Sequence, residues 1–369
     1  MRLIVVGAGV VGAACAYTAS ELGADVVLVD AGLPGQATAA GAGIICPWTS
    51  HADDAAWYAF ARAAAREYPS LAAKLADSGD ISYRQVGALI IARDEHEADL
   101  YCHEMKARRA AAPEIGEVRV VPAAEAQKMF PPLRSGADAV YLSGAARVDG
   151  RRLRQVLVRA ARARGAVVMT GQATLARRNL NAGRMAGVEI DGQLVPADAV
   201  VAATGAWTPA LLAPLGVTVR VAPERGQIVH LRLGSAETRS WPVILPAGSG
   251  HYLLAFDDSR VVAGATREPG SGFDARVTAA GLDEVLTQAL AVAPGLASAT
   301  HVETRVGLRP AGPDPRPLLG TVPSTTGLVV ATGLGASGLT LGPLTGAIAA
   351  RTALGVDQPI DLAPFDPLR

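Results

Sequence analysis

The chain has 369 residues, enough to bury a large core in two domains or one elaborate one. Half of the residues are apolar, 18% are charged and the formal net charge is zero, which suits a soluble globular protein and argues against nucleic acid or an anionic membrane surface as a partner. Cys15, Cys46 and Cys102 have neither the pairing of a disulfide framework nor the spacing of a zinc site, so a reducing cytoplasm fits and no metal is expected.

Leu3-Ile4-Val5-Val6 reads as a buried strand running directly into Gly7-Ala8-Gly9-Val10-Val11-Gly12. Gly7 permits a tight turn, Gly9 lets the backbone approach a diphosphate, and Gly12 lets the following helix pack on the strand. The diphosphate would sit at that helix N-terminus, on free N–H groups and the positive end of the dipole. Ala16, Ala19 and Leu22 keep an apolar helical face, Gly23 ends the helix, and Asp25 to Asp30 reads as a second parallel strand. Asp30 stands 18 residues after Gly12, where a carboxylate accepts hydrogen bonds from an adenosine ribose. Strand, turn, helix, strand and acid together predict dinucleotide binding. The apolar run from Leu3 to Ala19 is short for a membrane span and carries the glycines in nucleotide-binding register, so it reads as a buried βα unit.

A loop at Ala31–Gly35 leads to Thr38-Ala39-Ala40-Gly41-Ala42-Gly43-Ile44-Ile45, whose small residues suit a helix start pressed against a flat ligand. Residues 54–78 predict an amphipathic helix with Trp57, Phe60, Ala64 and Tyr68 inward; 81–92 predict strands around Gly87, and 94–111 a charged surface helix. Ala123 to Met129 is a short helix and Ala139 to Leu142 a strand. The helix over 150–164 has Leu153, Val156, Leu157 and Ala160 on one face, and a strand follows at Ala166 to Met169. Residues 173–195 form an antiparallel excursion turning at Asp191-Gly192. Val200 to Ala203 is again a buried strand, ending in Thr204-Gly205-Ala206-Trp207. The nucleotide-binding sheet therefore resumes far from its start.

Alternating strands at 219–221, 227–233, 252–256 and 260–264 predict an antiparallel sheet. Residues 273–293 return to helix, 299–308 to strand and 309–320 to a proline-rich loop. Leu328 to Ala331 is the last parallel strand, followed by Gly335-Ala336-Ser337-Gly338-Leu339-Thr340 and a closing helix to about residue 353.

In this order the motifs resemble the D-amino-acid oxidase superfamily of FAD flavoproteins, nearest its glycine oxidase and bacterial D-amino-acid dehydrogenase branch. Gly7, Gly9, Gly12 and Asp30 match its nucleotide fingerprint, and Thr38 to Ile45 its second flavin contact. Val148-Asp149 with the helix behind it, Ala203 to Trp207, Pro223-Glu224-Arg225-Gly226-Gln227, Gly264-Ala265-Thr266-Arg267-Glu268 and Gly307-Leu308-Arg309-Pro310 are similar to further family motifs. Two departures stand out. Leu334 stands where the family has a histidine after the last strand, and no cysteine follows Cys102, which implies non-covalent FAD.

The resemblance implies an α/β (α+β) fold: a discontinuous Rossmann-type FAD-binding domain from 1–80, 140–215 and 300–369, and an antiparallel-sheet substrate domain from 81–139 and 216–299. Expected FAD contacts are Gly7, Gly9, Val10, Val11, Gly12, Asp30, Ala31, Thr38, Ala39, Ala40, Gly43, Ile44, Ile45, Thr174, Thr204, Gly205, Trp207, Gly335, Ala336, Ser337, Gly338, Leu339 and Thr340. Arg309 takes the family's carboxylate-binding place, where a planar guanidinium can make two charge-assisted hydrogen bonds, and Tyr252 shares that carboxylate through its hydroxyl. Trp48 and His51 are weaker pocket candidates, Arg305 a second-choice carboxylate or flavin partner, and His251 a structural residue. The implied activity is oxidative deamination of a small D-amino acid by hydride transfer from Cα to flavin N5, giving an imino acid and then a 2-oxo acid. Its electrons would pass to O2 or another acceptor, with a peripheral membrane or electron-acceptor partner and the oligomeric state left open. A glycine or sarcosine oxidase, or a flavin-binding subunit of a multi-component dehydrogenase, fits the same scaffold.

Overall fold

In the computed structural model, which describes residues 1–369 except 52, 137, 178–182 and 359, the opening motif forms a strand (Arg2–Val6), a glycine turn and a helix (Val10–Glu21). Arg2–Val6 lies between Asp25–Asp30 and Ala199–Ala202, parallel to both. Leu328–Thr332 and Val167–Thr170 extend the sheet in parallel on either side, and Leu318–Thr321 closes one edge antiparallel. Three of the strands read as continuous apolar runs because helices and loops cover both faces.

The closing helix (Gly338–Leu354) crosses the first helix at very short range. A Cβ on Gly346 would stand 2.3 Å from the Val11 carbonyl oxygen, and one on Gly342 would stand 2.5 Å from a Val10 methyl. Residues from opposite ends of the chain are thereby locked together around the nucleotide turn.

A second sheet of nine strands carries the other half of the fold. Near one edge lies Ala222–Arg232, paired antiparallel with Arg260–Gly264 on one side and with the long edge strand Thr300–Ala311 on the other. Tyr252–Ala255, Val243–Pro246, Ala88–Ile91, Ala139–Leu142 and Val118–Val121 continue outward, antiparallel except for the parallel pair Val243–Pro246 and Ala88–Ile91.

Sheet membership departs from the expected domain boundaries at two places. Ala139–Leu142 and Thr300–Ala311 both belong to the nine-stranded sheet, not to the nucleotide-binding one. The strand expected to stop at Leu308 runs on to Ala311, with Arg309 paired to Glu224, Pro310 to Pro223 and Ala311 to Ala222. Arg309 is thus a strand residue instead of a loop residue.

Three further readings are corrected. Residues 219–221, expected to be a strand, lie outside any strand, and the next strand begins at Ala222. The helix expected from 273 starts at Ala279, capped by Thr278, whose hydroxyl accepts from the Gly281 N–H at 3.1 Å. Val243–Pro246 is an additional strand, hidden in the sequence by Pro242 before it and Pro246 at its end. The excursion at 173–195 has three strands and turns at Asp191-Gly192, with residues 178–182 outside the described set.

Asp149 ties the two sheets together. It caps the helix Gly150–Ala163 by accepting from the Arg151 and Arg152 N–H groups, while its other oxygen accepts from Arg260 of the nine-stranded sheet at 3.0 Å. Burial alone would raise its carboxyl, but these bonds outweigh burial and hold it below the usual carboxylate range.

The helix crossing makes one prediction. Gly346→Val forces a branched side chain onto the Val11 carbonyl and should cost about 1–3 kcal/mol of stability by overpacking. Thermal unfolding of the variant should show a clear fall in Tm, and an unchanged Tm would contradict the tight crossing.

Candidate active site

A cavity of about 400 Å³ runs from the Gly7 turn to the face of the nine-stranded sheet. Backbone contact dictates two glycines of the nucleotide turn. A Cβ on Gly7, whose φ is +98°, would lie 2.5 Å from the Ala203 carbonyl oxygen, and one on Gly12 would lie 1.8 Å from that of Gly7. Gly9 differs, since a Cβ there would meet nothing nearer than the Thr38 hydroxyl at 3.4 Å. Its cavity side is open for a ligand to approach.

The Asp30 carboxylate sits at one end of the cavity. It accepts from the Ala8 N–H at 2.6 Å, the Gly32 N–H at 2.8 Å and the Gln36 amide at 3.2 Å. Thr38 accepts the Val10 N–H at 2.9 Å, so one helix-start donor is bound to the protein and not left for a diphosphate.

Every expected cofactor contact lines this cavity except Gly12, Ala39, Ile45 and Ser337. Gly12 serves strand–helix packing. Ala39 turns its carbonyl to the Arg151 guanidinium at 3.1 Å, and Ile45 is buried in the core because strand alternation points it opposite to Ile44. Ser337 N–H bonds the Leu334 carbonyl within the turn before the last helix.

Three weaker candidates are not among the cavity residues. Trp48 is buried in an apolar cluster with Cys46, Cys102 and Met105, and His51 meets Trp57 edge-on at 5.0 Å. Arg305 pairs with Glu303, and its remaining reach is toward the Ala39 carbonyl at 3.4 Å. His251 faces Glu284 at 3.4 Å.

Arg309 and Tyr252 meet at the other end of the cavity. The Arg309 guanidinium lies flat over Gly226, where a Cβ would come within 2.4 Å of it. Its Nη1 donates to Glu224 at 2.9 Å, with Glu224 directly opposite in the strand ladder. Tyr252 faces Gly264 in the next strand pair, and a Cβ on that glycine would lie 2.6 Å from the Tyr252 hydroxyl. Burial pushes the Tyr252 phenol up to about 12, with Arg309 and Arg267 pulling the other way, so at neutral pH it is a neutral hydroxyl able to donate.

Sequence reasoning missed Arg267 and Gln36, both of which line the cavity. Arg267 was visible inside the Gly264–Glu268 motif, and the signal was a second arginine directly following a strand that faces Tyr252. Gln36 carried no signal beyond its proximity to Asp30.

The titratable side chains lining the cavity among the described residues are Asp30, Tyr252, Arg267 and Arg309. Such a set can hold a nucleotide at one end and an anion at the other. It contains no histidine, cysteine or carboxylate beside the anion end to act as a base, and no grouping of His, Cys, Asp or Glu suited to a metal occurs among the described residues. The glycine-lined floor, the open side of Gly9 and the carboxylate of Asp30 fit an adenine dinucleotide.

Comparison with known proteins agrees with this geometry. The family model described as DAO, FAD dependent oxidoreductase, matches residues 2–352. An uncharacterized oxidoreductase of Bacillus subtilis (strain 168), YurR, is 47% identical over 99% of this chain and 98% of its own length. The crystal structure of iminodiacetate oxidase (IdaA) from Chelativorans sp. BNC1 superimposes with a TM-score of 0.95 at 47% identity, covering 99% of both chains. Glycine oxidase from Geobacillus kaustophilus follows at 0.86 and 29% identity, over 100% of this chain and 99% of that one.

Asp30 provides the test of the nucleotide end. Removing a charged hydrogen-bond acceptor with Asp30→Ala should weaken FAD binding about ten- to a hundredfold, read by titrating the apoprotein and following flavin fluorescence. An unchanged affinity would remove Asp30 from the nucleotide site.

Proposed function

The chain belongs to the DAO family of FAD-dependent oxidoreductases, and on that premise we propose that it oxidises a small secondary amine carrying a glycine-type carboxylate. The observation that carries this reading is that the Arg309 guanidinium and the Tyr252 hydroxyl share one cavity with the Gly7 turn and Asp30. An arginine held by one good ion pair still has donors on its other edge, and a planar fork suits a carboxylate. The names of two similar solved structures, an iminodiacetate oxidase and a glycine oxidase, support a substrate without a side chain on its α-carbon. A D-amino acid, implied by the wider resemblance, is the alternative the assay separates.

FAD, when bound, supplies the acceptor for a hydride from the carbon next to the amine. Gly7, Gly9, Asp30 and the Gly335–Thr340 segment would hold it. Arg309 would fix the substrate carboxylate, with Tyr252 donating a second hydrogen bond, and so limit the poses open to the amine. Loss of the hydride and of the amine proton leaves an imine. Its hydrolysis gives a 2-oxo acid (glyoxylate when the carboxymethyl arm is the one oxidised) and releases the remaining amine. No lining side chain is needed as a base if the amine enters unprotonated.

An anaerobic screen tests the reading. Iminodiacetate, sarcosine, glycine and D-alanine are added to the yellow holoprotein, and the N-substituted glycines should bleach the flavin fastest. Faster bleaching by D-alanine would return the reading to D-amino acids, and bleaching by none would remove it. Arg309→Met should lower kcat/KM about thirtyfold or more, mostly through KM, with Arg309→Lys recovering part of the loss. Because the Tyr252 hydroxyl stays protonated up to about 12, it gives no limb at lower pH, and kcat/KM should rise with pH as the substrate amine loses its proton. A flat profile over that range would contradict entry of the free amine.

A further inference from the structure

Arg309 is not the only guanidinium at the substrate end. Arg267 lines the same cavity, and its Nη1 stands 3.6 Å from the Glu224 oxygen that Arg309 holds at 2.9 Å. Two cations thus flank one carboxylate oxygen, and among the described residues no acidic side chain lines that end of the cavity.

The backbone around Arg267 is tightly fixed although its side chain is not. On one side, the Thr266 hydroxyl donates to Glu268 at 2.7 Å and accepts from the Gln227 N–H at 3.0 Å. On the other, Glu268 accepts from the Gln227 amide at 2.8 Å and from Arg225 at 2.6 Å. Arg225 is itself anchored to Asp274 at 2.8 Å. Arg267 therefore projects from a clamped loop, with its side chain 57% exposed.

The two guanidiniums differ in how firmly they are held. Arg309 is 15% exposed, lies against Gly226 and has a short ion pair, so its position is preset. Among the described residues, Arg267 has one ion pair, a long contact with Glu224 at a solvent-accessible position, the kind of pair that contributes little and exchanges readily. A substrate with one carboxylate is held by Arg309, already preset against Gly226, and does not require Arg267. One with a second carboxylate beyond the amine uses both, and a small molecule can bridge them because both already reach one carboxylate oxygen.

Building on the amine-oxidation reading above, we infer that Arg267 is a specificity residue that receives the second carboxylate of an amino-dicarboxylate substrate. It binds that far arm while Arg309 holds the arm nearest the reacting carbon. The preference for dicarboxylates then arises at Arg267.

Diglycolate and methoxyacetate isolate this arm, because replacing the amine by an ether oxygen leaves nothing to oxidise. Calorimetric titration of the FAD-loaded protein should show tighter binding of diglycolate. In Arg267→Met the ratio of the two affinities should fall about tenfold or more, the value of one lost hydrogen bond to a charged group. The ratio of kcat/KM for iminodiacetate over sarcosine should fall in parallel, and Arg267→Lys should recover part of both. An affinity ratio that survives Arg267→Met overturns the inference, as does an equal loss for both ligands. Arg267→Gln carries the same comparison should the Met variant not fold. The two readings fail separately: wild-type flavin that no amine bleaches defeats the amine-oxidase reading, whereas bleached flavin with an affinity ratio indifferent to Arg267 defeats the second-carboxylate inference alone.

Discussion

The site depends on how closely the strand Thr300–Ala311 can approach its neighbours. Gly307 faces Gly226 in the ladder with Ala222–Arg232, and both positions are too crowded for a Cβ. A side chain on Gly307 would meet the Ala40 methyl at 2.9 Å, and one on Gly226 would displace the Arg309 guanidinium. The first glycine brings the nine-stranded sheet onto the short helix Ala37–Ala40 beside the nucleotide turn. The second lets Arg309 lie flat against its own sheet with its free edge toward the cavity.

Electrostatics then divides the cavity into two ends of opposite sign. Asp30 marks one end, satisfied by backbone and amide donors, and Arg309 with Arg267 marks the other. Glu224 stands between the two guanidiniums and keeps their mutual repulsion in check when no ligand carboxylate is there. Burial keeps Tyr252 uncharged, so it can donate a hydrogen bond without adding charge. The floor between the ends is glycine and aliphatic surface, which suits a flat ring system and supplies no competing acid or base.

Much of this was legible in the chain. Gly7, Gly12 and Asp30 announce themselves because backbone contact or a positive φ excludes other residues at the glycines, and because the spacing between turn and acid follows from one βαβ unit. Long amphipathic helices such as Ala55–Leu75 and Gly150–Ala163 were legible from apolar periodicity. What periodicity could not show is which sheet a strand joins. Thr300–Ala311 reads as a strand leading back to the nucleotide-binding domain, yet its pairing with Ala222–Arg232 takes it and Arg309 into the other sheet. Side-chain direction was the other blind spot. Ile44 and Ile45 are equivalent in composition, but strand alternation sends one to the cavity and the other to the core. Trp48 and Arg305 were placed near the ligand by sequence proximity, and packing turned both away from the cavity. Arg267 escaped notice because its importance lies in a contact with Glu224, 43 residues away in sequence.

The role of Arg309 rests on where a substrate carboxylate binds, and a crystal structure of the FAD-loaded protein with methoxyacetate observes this directly. The carboxylate is expected within hydrogen-bond distance of the Arg309 guanidinium and the Tyr252 hydroxyl, inside the cavity that begins at Gly7. A carboxylate bound away from Arg309, on Arg305 or outside the cavity, would contradict it.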